Sequence, residues 1–235
     1  MAKTILITGA SSGIGASTAK LFLSRGWNVG LIARREDKLA IIANDHGNSL
    51  CVKCDVCQEN QVKNAFQLMV DHFGAVDVLF NNAGIFTPQA RIDQIDINDW
   101  QKSIDVNLTG MFLAAREAFR HMTKSGGRII NNGSISAHTP REGSVPYTTT
   151  KHAITGLTKT IALDGRDLNI CCGQIDIGNA HTEMVANLSN AGGVVETMAV
   201  SDAAEAVWNM AQLPLSTNIL TMTIMANKMP FVGRG

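Results

Sequence analysis

The feature of this sequence that most limits its possible folds is a regular alternation of short β-type runs with longer amphipathic stretches. Continuous apolar runs are typical of strands buried on both faces, and strands that alternate with helices indicate a parallel sheet. We therefore expect one doubly wound α/β domain over residues 1–235, with helices on both faces of a seven-stranded parallel sheet. The expected strands are Thr4–Thr8, Asn28–Ala33, Ser49–Cys54, Val76–Asn81, Arg128–Gly133, Ile170–Ile175 and Asn218–Ile224. The expected helices are Gly13–Arg25, Gln58–Phe73, Asp99–Lys124, Val145–Asp164 and Ser201–Gln212.

Composition and charge argue against several classes of function. The 235 residues carry 20 Lys plus Arg and 20 Asp plus Glu, so the formal net charge is zero. A nucleic-acid-binding protein needs a basic field to neutralise phosphates, so no nucleic acid is expected as a partner. No apolar run approaches the ~20 residues that span a bilayer, and the apolar start Thr4–Ile7 is too short for an export signal. We therefore expect a cytoplasmic protein without a membrane partner.

The junction between the first strand and the first helix is rich in glycine. It reads Thr8-Gly9-Ala10-Ser11-Ser12-Gly13-Ile14-Gly15. Glycine lets backbone N–H groups approach a pyrophosphate, which the helix N-terminus then stabilises. Glycines also serve plain strand-to-helix corners, but this position in an α/β chain favours a Rossmann-type dinucleotide site. The predicted cofactor-binding residues of the turn are Gly9, Ser11, Ser12, Gly13, Ile14 and Gly15.

The end of the second strand indicates which dinucleotide binds. An acidic residue there would hydrogen-bond a ribose 2′-hydroxyl and repel a 2′-phosphate, whereas this chain has Arg34 and Arg35. A guanidinium suits a phosphate because of its bidentate fork, so we expect NADP(H) rather than NAD(H). The alternative is that both arginines simply begin a solvated helix. After the third strand, Asp55-Val56 could contact the adenine, or Asp55 could cap the helix near Gln58.

Tyr147 is the only tyrosine, and Lys151 lies four residues later on the same face of an expected helix. A phenol with a pKa of ~10 is a poor acid–base catalyst at neutral pH, and lowering that pKa to ~7 requires about 4 kcal/mol. One ammonium ~4 Å away supplies about that much at an effective dielectric constant of ~20. The pair is a candidate general acid or base, the alternative being a surface lysine beside a half-buried tyrosine.

Two further polar residues support a catalytic interpretation. Ser134 ends the fifth strand, where its hydroxyl could hydrogen-bond a substrate oxygen that gains negative charge as hydride arrives. Asn107 lies within a long helical run, although asparagine is a poor helix former. Its amide could hold a water molecule for a proton relay, or Asn107 could simply bend the helix with its side chain satisfied.

With these residues in view, the chain resembles the short-chain dehydrogenase/reductase family over nearly its whole length. The motifs that carry the resemblance are Thr8-Gly9-x3-Gly13-Ile14-Gly15, Asp55-Val56, Asn81-Asn82-Ala83-Gly84, Asn107, Ser134 and Tyr147-x3-Lys151. The resemblance implies that Tyr147 is the general acid or base. It implies that Lys151 lowers the pKa of Tyr147 and holds the nicotinamide ribose, that Ser134 orients the substrate oxygen, and that Asn107 supports the proton relay.

The resemblance also concerns the cofactor and the assembly. It implies that Asn82-Ala83-Gly84 lies beside the adenosine and orders the turn after the fourth strand, and that the helices Asp99–Lys124 and Val145–Asp164 form a homodimer or homotetramer. After the sixth strand, Gly178 and a carboxamide-binding Thr182 keep the family's spacing, but Ile177 replaces the usual proline. This replacement puts the rigidity of a cofactor-binding loop in doubt.

Several other residues have ordinary interpretations. Cys51, Cys54 and Cys57 lack a fourth ligand at sensible spacing, so free thiols are expected rather than a metal site, and Cys171-Cys172 are expected core residues. His138 could line the substrate mouth but fits a solvated loop better. The segment Asn187–Glu196 would suit a mobile lid, and a moderately apolar substrate pocket is expected from Ile85–Phe86, His138–Val145 and Thr182–Leu188, with Met184, Val185 and Leu188 as one candidate wall.

The sequence therefore predicts an NADP(H)-dependent oxidoreductase that interconverts an alcohol and a ketone or aldehyde, with a small carbonyl or alcohol molecule as substrate. A dinucleotide-sensing regulatory protein without turnover is the alternative from another class, but such a protein could discard Tyr147, Lys151 or Ser134. An epimerase or dehydratase acting on a nucleotide-sugar would want a larger C-terminal substrate region.

Overall fold

A computed structural model describes residues 2–44, 46–182 and 196–231. Its seven strands form one all-parallel sheet in the order β3-β2-β1-β4-β5-β6-β7, which confirms the expected fold class. The order reverses between β1 and β4, and in such sheets ligands bind beyond the carboxyl ends of the strands near this reversal. The strands are β1 Thr4–Thr8, β2 Asn28–Ala33, β3 Ser49–Lys53, β4 Val78–Asn81, β5 Gly127–Asn132, β6 Ile170–Ile177 and β7 Thr221–Ile224.

Helices cover both faces of the sheet and separate its apolar core into two layers. The helices are α1 Gly13–Ser24, α2 Glu36–Ala43, α3 Glu59–Phe73, α4 Ile97–Ile104, α5 Gly110–Met122, α6 Val145–Asp164 and α7 Val200–Ala211. Buried side chains of α1, α2 and α7 pack on one face. Those of α3 and α5 pack on the other, together with partly buried residues of α6. The core therefore holds the strand ends, and the turns that follow them, in fixed positions.

Helix α2 was not among the expected helices and was anticipated only in the alternative interpretation of Arg34 and Arg35 as the beginning of a solvated helix. It begins immediately after Arg35, has Glu36 and Asp37 in its first turn, and ends at Asn44, whose φ of 40° is left-handed. Acidic residues stabilise a helix N-terminus, and asparagine tolerates the left-handed conformation that ends a helix. At eight residues, the helix is too short to give a clear periodic signal in the sequence.

The expected helix Asp99–Lys124 contains a π-helical turn. Helix α4 passes into the π turn Asp105–Thr109, which continues directly into α5. Gly110 allows close packing here, because a Cβ on it would lie 2.8 Å from Cγ2 of Val56. Single π turns inside α-helices are frequent at functional sites, and this one contains Asn107.

Six strand ends, in β3 to β7, differ from the expected bounds by one to three residues. Strand β6 runs two residues further than expected, and β7 begins at Thr221 instead of Asn218. The side chain of Asn218 donates to the carbonyl oxygen of Cys172 and accepts from the buried guanidinium of Arg128, so this residue anchors the loop before the strand. Across the described ranges, none of the helices is long and apolar enough to cross a bilayer.

Candidate active site

The glycine-rich turn after β1 is shaped by close contacts with the turn after β4. Gly9 has a φ of 67°, and a Cβ on it would lie 2.9 Å from Cα of Ala83. A Cβ on Gly15 would lie 2.5 Å from the carbonyl oxygen of Gly9. Neither position has room for a side chain, so glycine is required at both.

Asn82 and Ala83 hold this turn in place through hydrogen bonds to Thr8. Both of their backbone N–H groups donate to Oγ1 of Thr8, at 2.9 and 3.0 Å, and the Asn82 amide donates to the Thr8 carbonyl oxygen at 3.0 Å. Gly84 follows, and a Cβ on it would come within 3.4 Å of Asn107 Oδ1. The expected ordering of the β4 turn by these residues is therefore visible in the structure, whereas the expected contact with adenosine stays a prediction.

The N-terminus of α1 is open to an anion. Ser12 precedes the helix without a side-chain capping bond, and no acidic residue occupies the first turn. Gly13 has a φ of 54°, and a Cβ on it would lie 3.1 Å from Cγ2 of Thr182. The first backbone N–H groups of α1 have no acceptor within the helix, and they lie next to a glycine and to the hydroxyl-bearing Thr182. This arrangement fits the pyrophosphate of a dinucleotide.

Arg35 joins the end of β2 to this turn. Its Nη2 donates to Oγ of Ser12 at 2.8 Å and to Oγ of Ser11 at 3.0 Å. Arg34 beside it is exposed. The structure therefore brings Arg35 to the phosphate turn and leaves Arg34 facing solvent next to it.

Asp55 does not cap α3, contrary to one expectation. The residue before the helix is Gln58, which makes no side-chain capping bond, and Oδ1 of Asp55 accepts from the Cys57 N–H at 3.0 Å instead. Asp55 thus closes a short turn of its own, because an aspartate side chain readily accepts from the N–H two residues later. Its contact with adenine stays a prediction.

Ser134, Tyr147 and Lys151 come together beyond the end of β5. Ser134 is buried, its Oγ accepts from the Ser136 N–H at 3.1 Å, and its side chain acts to lower the pKa of Tyr147. Lys151 is buried and donates from Nζ to the carbonyl oxygen of Asn132 at 2.7 Å, with Nζ 5.5 Å from the centre of the Tyr147 ring. The expected grouping of the three residues is therefore present.

The acid–base properties of the pair differ from the expected ones. Burial raises the pKa of Tyr147 above its ordinary value of 10.0, although the hydrogen bond with Ser134 acts to lower it. Burial likewise lowers the pKa of Lys151 to about 8, against a smaller upward effect of Asp176. The expected net lowering of the Tyr147 pKa by Lys151 is not found, because loss of hydration dominates.

Asn107 uses its amide to hold the loop after β4. Its Oδ1 accepts from the Ile85 N–H at 2.7 Å, and its Nδ2 donates to the Ile85 carbonyl oxygen at 2.9 Å. Ser103 Oγ and Thr150 Oγ1 also lie within 3.4 Å of Nδ2. Both amide protons therefore have acceptors within the protein, which favours the interpretation of a satisfied side chain over that of an amide that holds water.

A buried carboxylate that sequence reasoning missed lies behind Ser134. Asp176, in β6, is fully buried, and its Oδ1 accepts from the Ser134 N–H at 2.9 Å and from Gln174 Nε2 at 2.7 Å. Its Oδ2 lies 2.7 Å from Nε2 of His138. His138 thus contacts a buried residue behind Ser134, while its side chain remains 40% exposed, as expected for a partly solvated loop residue. The signal in the sequence was an acidic residue among the mainly apolar residues at the end of β6.

Ile177 is the last residue of β6 and does not belong to the loop that follows the strand. It continues the pairing of β6 with β7 opposite Ile224, and the next N–H, that of Gly178, donates to the Ile224 carbonyl oxygen at 2.8 Å. A Cβ on Gly178 would lie 2.6 Å from Cβ of Met225, so the chain packs tightly as it leaves the strand. Ile177 and Gly178 are therefore held by their pairing and packing against the end of β7, whereas the effect of the missing proline on the rest of the loop stays a prediction.

The walls beside Tyr147 combine an aromatic ring with cationic groups. The Phe86 ring lies 4.7 Å from the Tyr147 ring, centre to centre. Arg141 donates from Nη2 to Asn179 Oδ1 at 2.7 Å, and its charge acts to lower the Tyr147 pKa. This part of the pocket is more polar than expected. The other candidate wall (Met184, Val185 and Leu188) and nearly all of the expected lid lie outside the described residues.

All five cysteines are free. Burial raises the pKa of Cys54 to about 11, and burial together with the Asp55 charge raises that of Cys57 to about 12. Cys171 and Cys172 are buried core residues, as expected. Within the described ranges, no three His, Cys, Asp or Glu side chains group in a way that could hold a metal ion.

Comparisons with known proteins agree with this arrangement. Residues 3–193 match the family model described as short chain dehydrogenase. The chain is 35% identical to glucose 1-dehydrogenase 2 of Bacillus subtilis (strain 168) over 188 residues, which cover 77% of this chain and 73% of that protein. It is also 35% identical to trans-4-hydroxycyclohexanecarboxylate dehydrogenase of Sinomonas cyclohexanicum over 216 residues, covering 85% and 83% of the two chains.

A solved structure shows the same fold. ElxO with NADP bound superimposes with a TM-score of 0.86 at 28% identity, covering 95% of this chain and 98% of that one. The family match, the relatives, the fold and the grouping of Ser134, Tyr147 and Lys151 lead to one conclusion. This chain belongs to the short-chain dehydrogenase family and is an oxidoreductase of alcohols and ketones.

Proposed function

We propose that the protein is an NADP(H)-dependent oxidoreductase that interconverts an alcohol and a ketone or aldehyde, with Tyr147 as the general acid or base. The observation that carries this proposal is the grouping of Ser134, Tyr147 and Lys151: Ser134 and Lys151 are both buried, and Nζ of Lys151 lies 5.5 Å from the centre of the Tyr147 ring. These residues lie beyond the carboxyl ends of β5 and β6, where α/β sheets bind ligands.

The residues around the turn after β1 fit the cofactor. Gly13 and the uncapped N-terminus of α1 would hold the pyrophosphate, with Thr182 close to the same turn. Lys151 would hold the nicotinamide ribose, as the family resemblance implies. When bound, the cofactor donates hydride to a carbonyl carbon or accepts it from an alcohol carbon.

The proton steps belong to the chain itself. In the reduction, the Tyr147 O–H gives its proton to the carbonyl oxygen, while the Ser134 hydroxyl donates a hydrogen bond to that oxygen as its charge grows. The raised pKa of Tyr147 keeps the phenol protonated at neutral pH, which supports its role as the acid in the direction of reduction. In the oxidation, the phenolate takes the proton of the alcohol.

The chemistry of the β2 end supports NADP(H) over NAD(H). No carboxylate ends this strand, and Arg34 and Arg35 would offer guanidinium groups to a 2′-phosphate. Arg35 is held beside the phosphate turn by Ser11 and Ser12. A bound NADP is also what the solved ElxO structure carries.

The catalytic assignment is tested by substitution at Tyr147. The Tyr147→Phe variant keeps the ring beside Phe86 and loses only the hydroxyl, so kcat/KM for ketone reduction should fall by about 10²–10⁴-fold while NADPH affinity stays within twofold. Ser134→Ala should also lose most activity, whereas Ser24→Ala, an exposed serine on α1, serves as the matched control. Normal turnover by Tyr147→Phe would remove the assignment.

The cofactor assignment is tested by titrating the pure protein with NADPH and NADH. The wild type should prefer NADPH, and Arg34→Asp and Arg35→Asp should each reduce or reverse that preference by electrostatic repulsion of the 2′-phosphate. Arg166→Asp, at an exposed position just before β6, makes the same charge change away from the strands' carboxyl ends. Equal affinity for both cofactors in the wild type would contradict the proposal.

We also propose a cytoplasmic location and a homodimer or homotetramer. Five free thiols suit a reducing compartment. Phe112 on α5 is 44% exposed and Leu163 on α6 is 54% exposed, and these are the helices through which the family resemblance implies association. Sedimentation of the pure protein tests the assembly, and a monomer at micromolar concentration would exclude it.

A further inference from the structure

A cationic side chain and a histidine are held at the strand ends that border Tyr147 and Ser134. We call the side chains of His138, Arg141, Asp176 and Asn179 the mouth cluster. His138 and Arg141 belong to the segment between β5 and α6, and Asp176 and Asn179 belong to the end of β6 and the residues after it. The cluster therefore links the two strand ends that border the proposed reaction centre.

Arg141 is held in place by one side-chain hydrogen bond, and within the described residues its other side-chain N–H groups have no acceptor. Its Nη2 donates to Oδ1 of Asn179, and its backbone carbonyl oxygen accepts from Ser144 Oγ at 3.0 Å. No carboxylate pairs with it in the part of the chain that the structure describes. A guanidinium has five N–H donors, and contacts with residues 2–44, 46–182 and 196–231 use one of them, which leaves a bidentate face for an anion.

His138 presents a second polar edge at the same place. Its Nε2 faces the buried Oδ2 of Asp176, and its side chain is 40% exposed. Nδ1 has no hydrogen-bond partner among residues 2–44, 46–182 and 196–231. When the ring carries a proton on each nitrogen, Asp176 balances the charge from behind and the second N–H points away from that carboxylate.

The carboxylate of the mouth cluster, that of Asp176, lies in the protein interior. Asp176 is fully buried and receives hydrogen bonds from Ser134 and Gln174 in addition to its contact with His138. These neighbours occupy both oxygens, so the carboxylate lies beneath the site rather than at its surface. The groups of the cluster that remain for a ligand are the Arg141 guanidinium and the half-exposed His138 imidazole, and the Phe86 ring lies on the Tyr147 side of the site.

We propose that the substrate is a hydroxy acid, or the corresponding oxo acid, whose carboxylate binds Arg141 and His138 while its hydroxyl or carbonyl group lies between Ser134 and Tyr147. This inference rests on the proposed function of the same site. The carboxylate accepts two N–H bonds from the Arg141 fork and one from His138, and the carbon chain lies against the Phe86 ring. A purely structural alternative is that Arg141 only ties its loop to Asn179.

The test uses substrate pairs that differ only in charge. Oxidation of 3-hydroxybutanoate, 3-hydroxyhexanoate and 3-hydroxyoctanoate is compared with oxidation of their primary amides, with NADP+ as oxidant. We expect the best acid to exceed its amide in kcat/KM by about 10- to 100-fold, the range that a charge-assisted bidentate contact supplies. A wild type that oxidises amides as well as acids overturns the inference while leaving the proposed function intact.

Variants of Arg141 separate recognition from structure. Arg141→Gln should bring the acid-to-amide ratio close to one, Arg141→Lys should restore part of it, and His138→Gln should lower it. Arg166→Gln removes the same charge away from the site and should leave the ratio unchanged. A ratio that Arg141→Gln does not change shows that the arginine is only structural.

If none of these hydroxy acids or amides is oxidised, the inference is tested by measuring binding without turnover. Hexanoate and hexanamide are titrated calorimetrically into the complex with NADP+. Hexanoate that binds at least tenfold more tightly than hexanamide, with the difference lost in Arg141→Gln, supports the carboxylate site even if the reaction has been assigned wrongly. Equal affinities overturn it. Turnover of neutral ketones with loss in Tyr147→Phe tests the proposed function independently.

Discussion

Asp176 lies directly behind Ser134: its Oδ1 accepts from the Ser134 backbone N–H at 2.9 Å, while its Oδ2 lies 2.7 Å from Nε2 of His138. One buried carboxylate thus fixes the backbone of a proposed catalytic residue and the side chain of a mouth residue. The same charge raises the pKa of both Tyr147 and Lys151. The positions of Ser134 and His138, and the pKa values of Tyr147 and Lys151, therefore all depend on one side chain in β6.

Replacing this carboxylate by an amide should move the pH range of activity. Because the Asp176 charge raises the pKa of Tyr147 and of Lys151, Asp176→Asn should lower both values. The rise of kcat/KM with pH in alcohol oxidation, which follows deprotonation of Tyr147, should then occur at lower pH than in the wild type. Asp71→Asn, an exposed change on α3, is the control. Coincident pH profiles would show that the catalytic pair does not sense the carboxylate.

Lys151 should make stability depend on alkaline pH. Its pKa is about 8 in the folded protein and 10.5 ordinarily. Between these values the unfolded chain holds a proton that the folded protein has released, so the free energy of unfolding rises with pH across this range. Below pH 8, burial of the ammonium costs the folded state up to about 3 kcal/mol.

Lys151→Met should remove most of that rise. Urea unfolding of the cofactor-free protein, measured from pH 7.5 to 10.5, should show a flatter profile for the variant than for the wild type. Lys20→Met, an exposed change on α1, should keep the wild-type slope. Parallel profiles for Lys151→Met and the wild type would mean that the buried lysine does not titrate in this range.

Removing the Asn107 amide should loosen the loop after β4. Asn107→Ala leaves both the N–H and the carbonyl oxygen of Ile85 without their partner, so we expect a loss of about 2–4 kcal/mol in the free energy of unfolding. Hydrogen exchange at the Ile85 amide should accelerate at the same time. Asn107→Asp retains an acceptor for that N–H and should protect it better than alanine does. Unchanged exchange in Asn107→Ala would contradict this role.

A methyl group at Gly133 should disturb the carboxylate that holds Ser134. A Cβ there would lie 2.1 Å from Oδ1 of Asp176 and 2.8 Å from Cγ of Gln174, so a buried network must shift. We expect Gly133→Ala to lose about 1–3 kcal/mol of stability and to lower kcat. Gly47→Ala, with nothing within 4 Å of its Cβ, should change stability by less than about 0.5 kcal/mol. Thermal unfolding of both variants tests this prediction. Equal unfolding midpoints for Gly133→Ala and Gly47→Ala would contradict the expected clash at Gly133.

Much of the fold followed from local signals in the sequence. The continuous apolar run of β2 and the glycines of the first turn predict a buried parallel strand and a phosphate-binding corner, because burial and backbone freedom depend on residue type. Helix α6 matched its expected bounds, Val145–Asp164. The eight residues of α2 were missed, since so short a segment carries little periodicity.

Within the site, the sequence by itself determined that Ser134, Tyr147 and Lys151 would meet, because the strand–helix order places their positions at one sheet edge. Only the tertiary structure decided what surrounds them. The pairing of Asp176 with His138 joins residues 38 positions apart, and the clamp of Asn107 on Ile85 spans 22 positions. Such contacts, and the burial that raises the pKa of Tyr147, arise when separate elements pack together, so no local pattern encodes them.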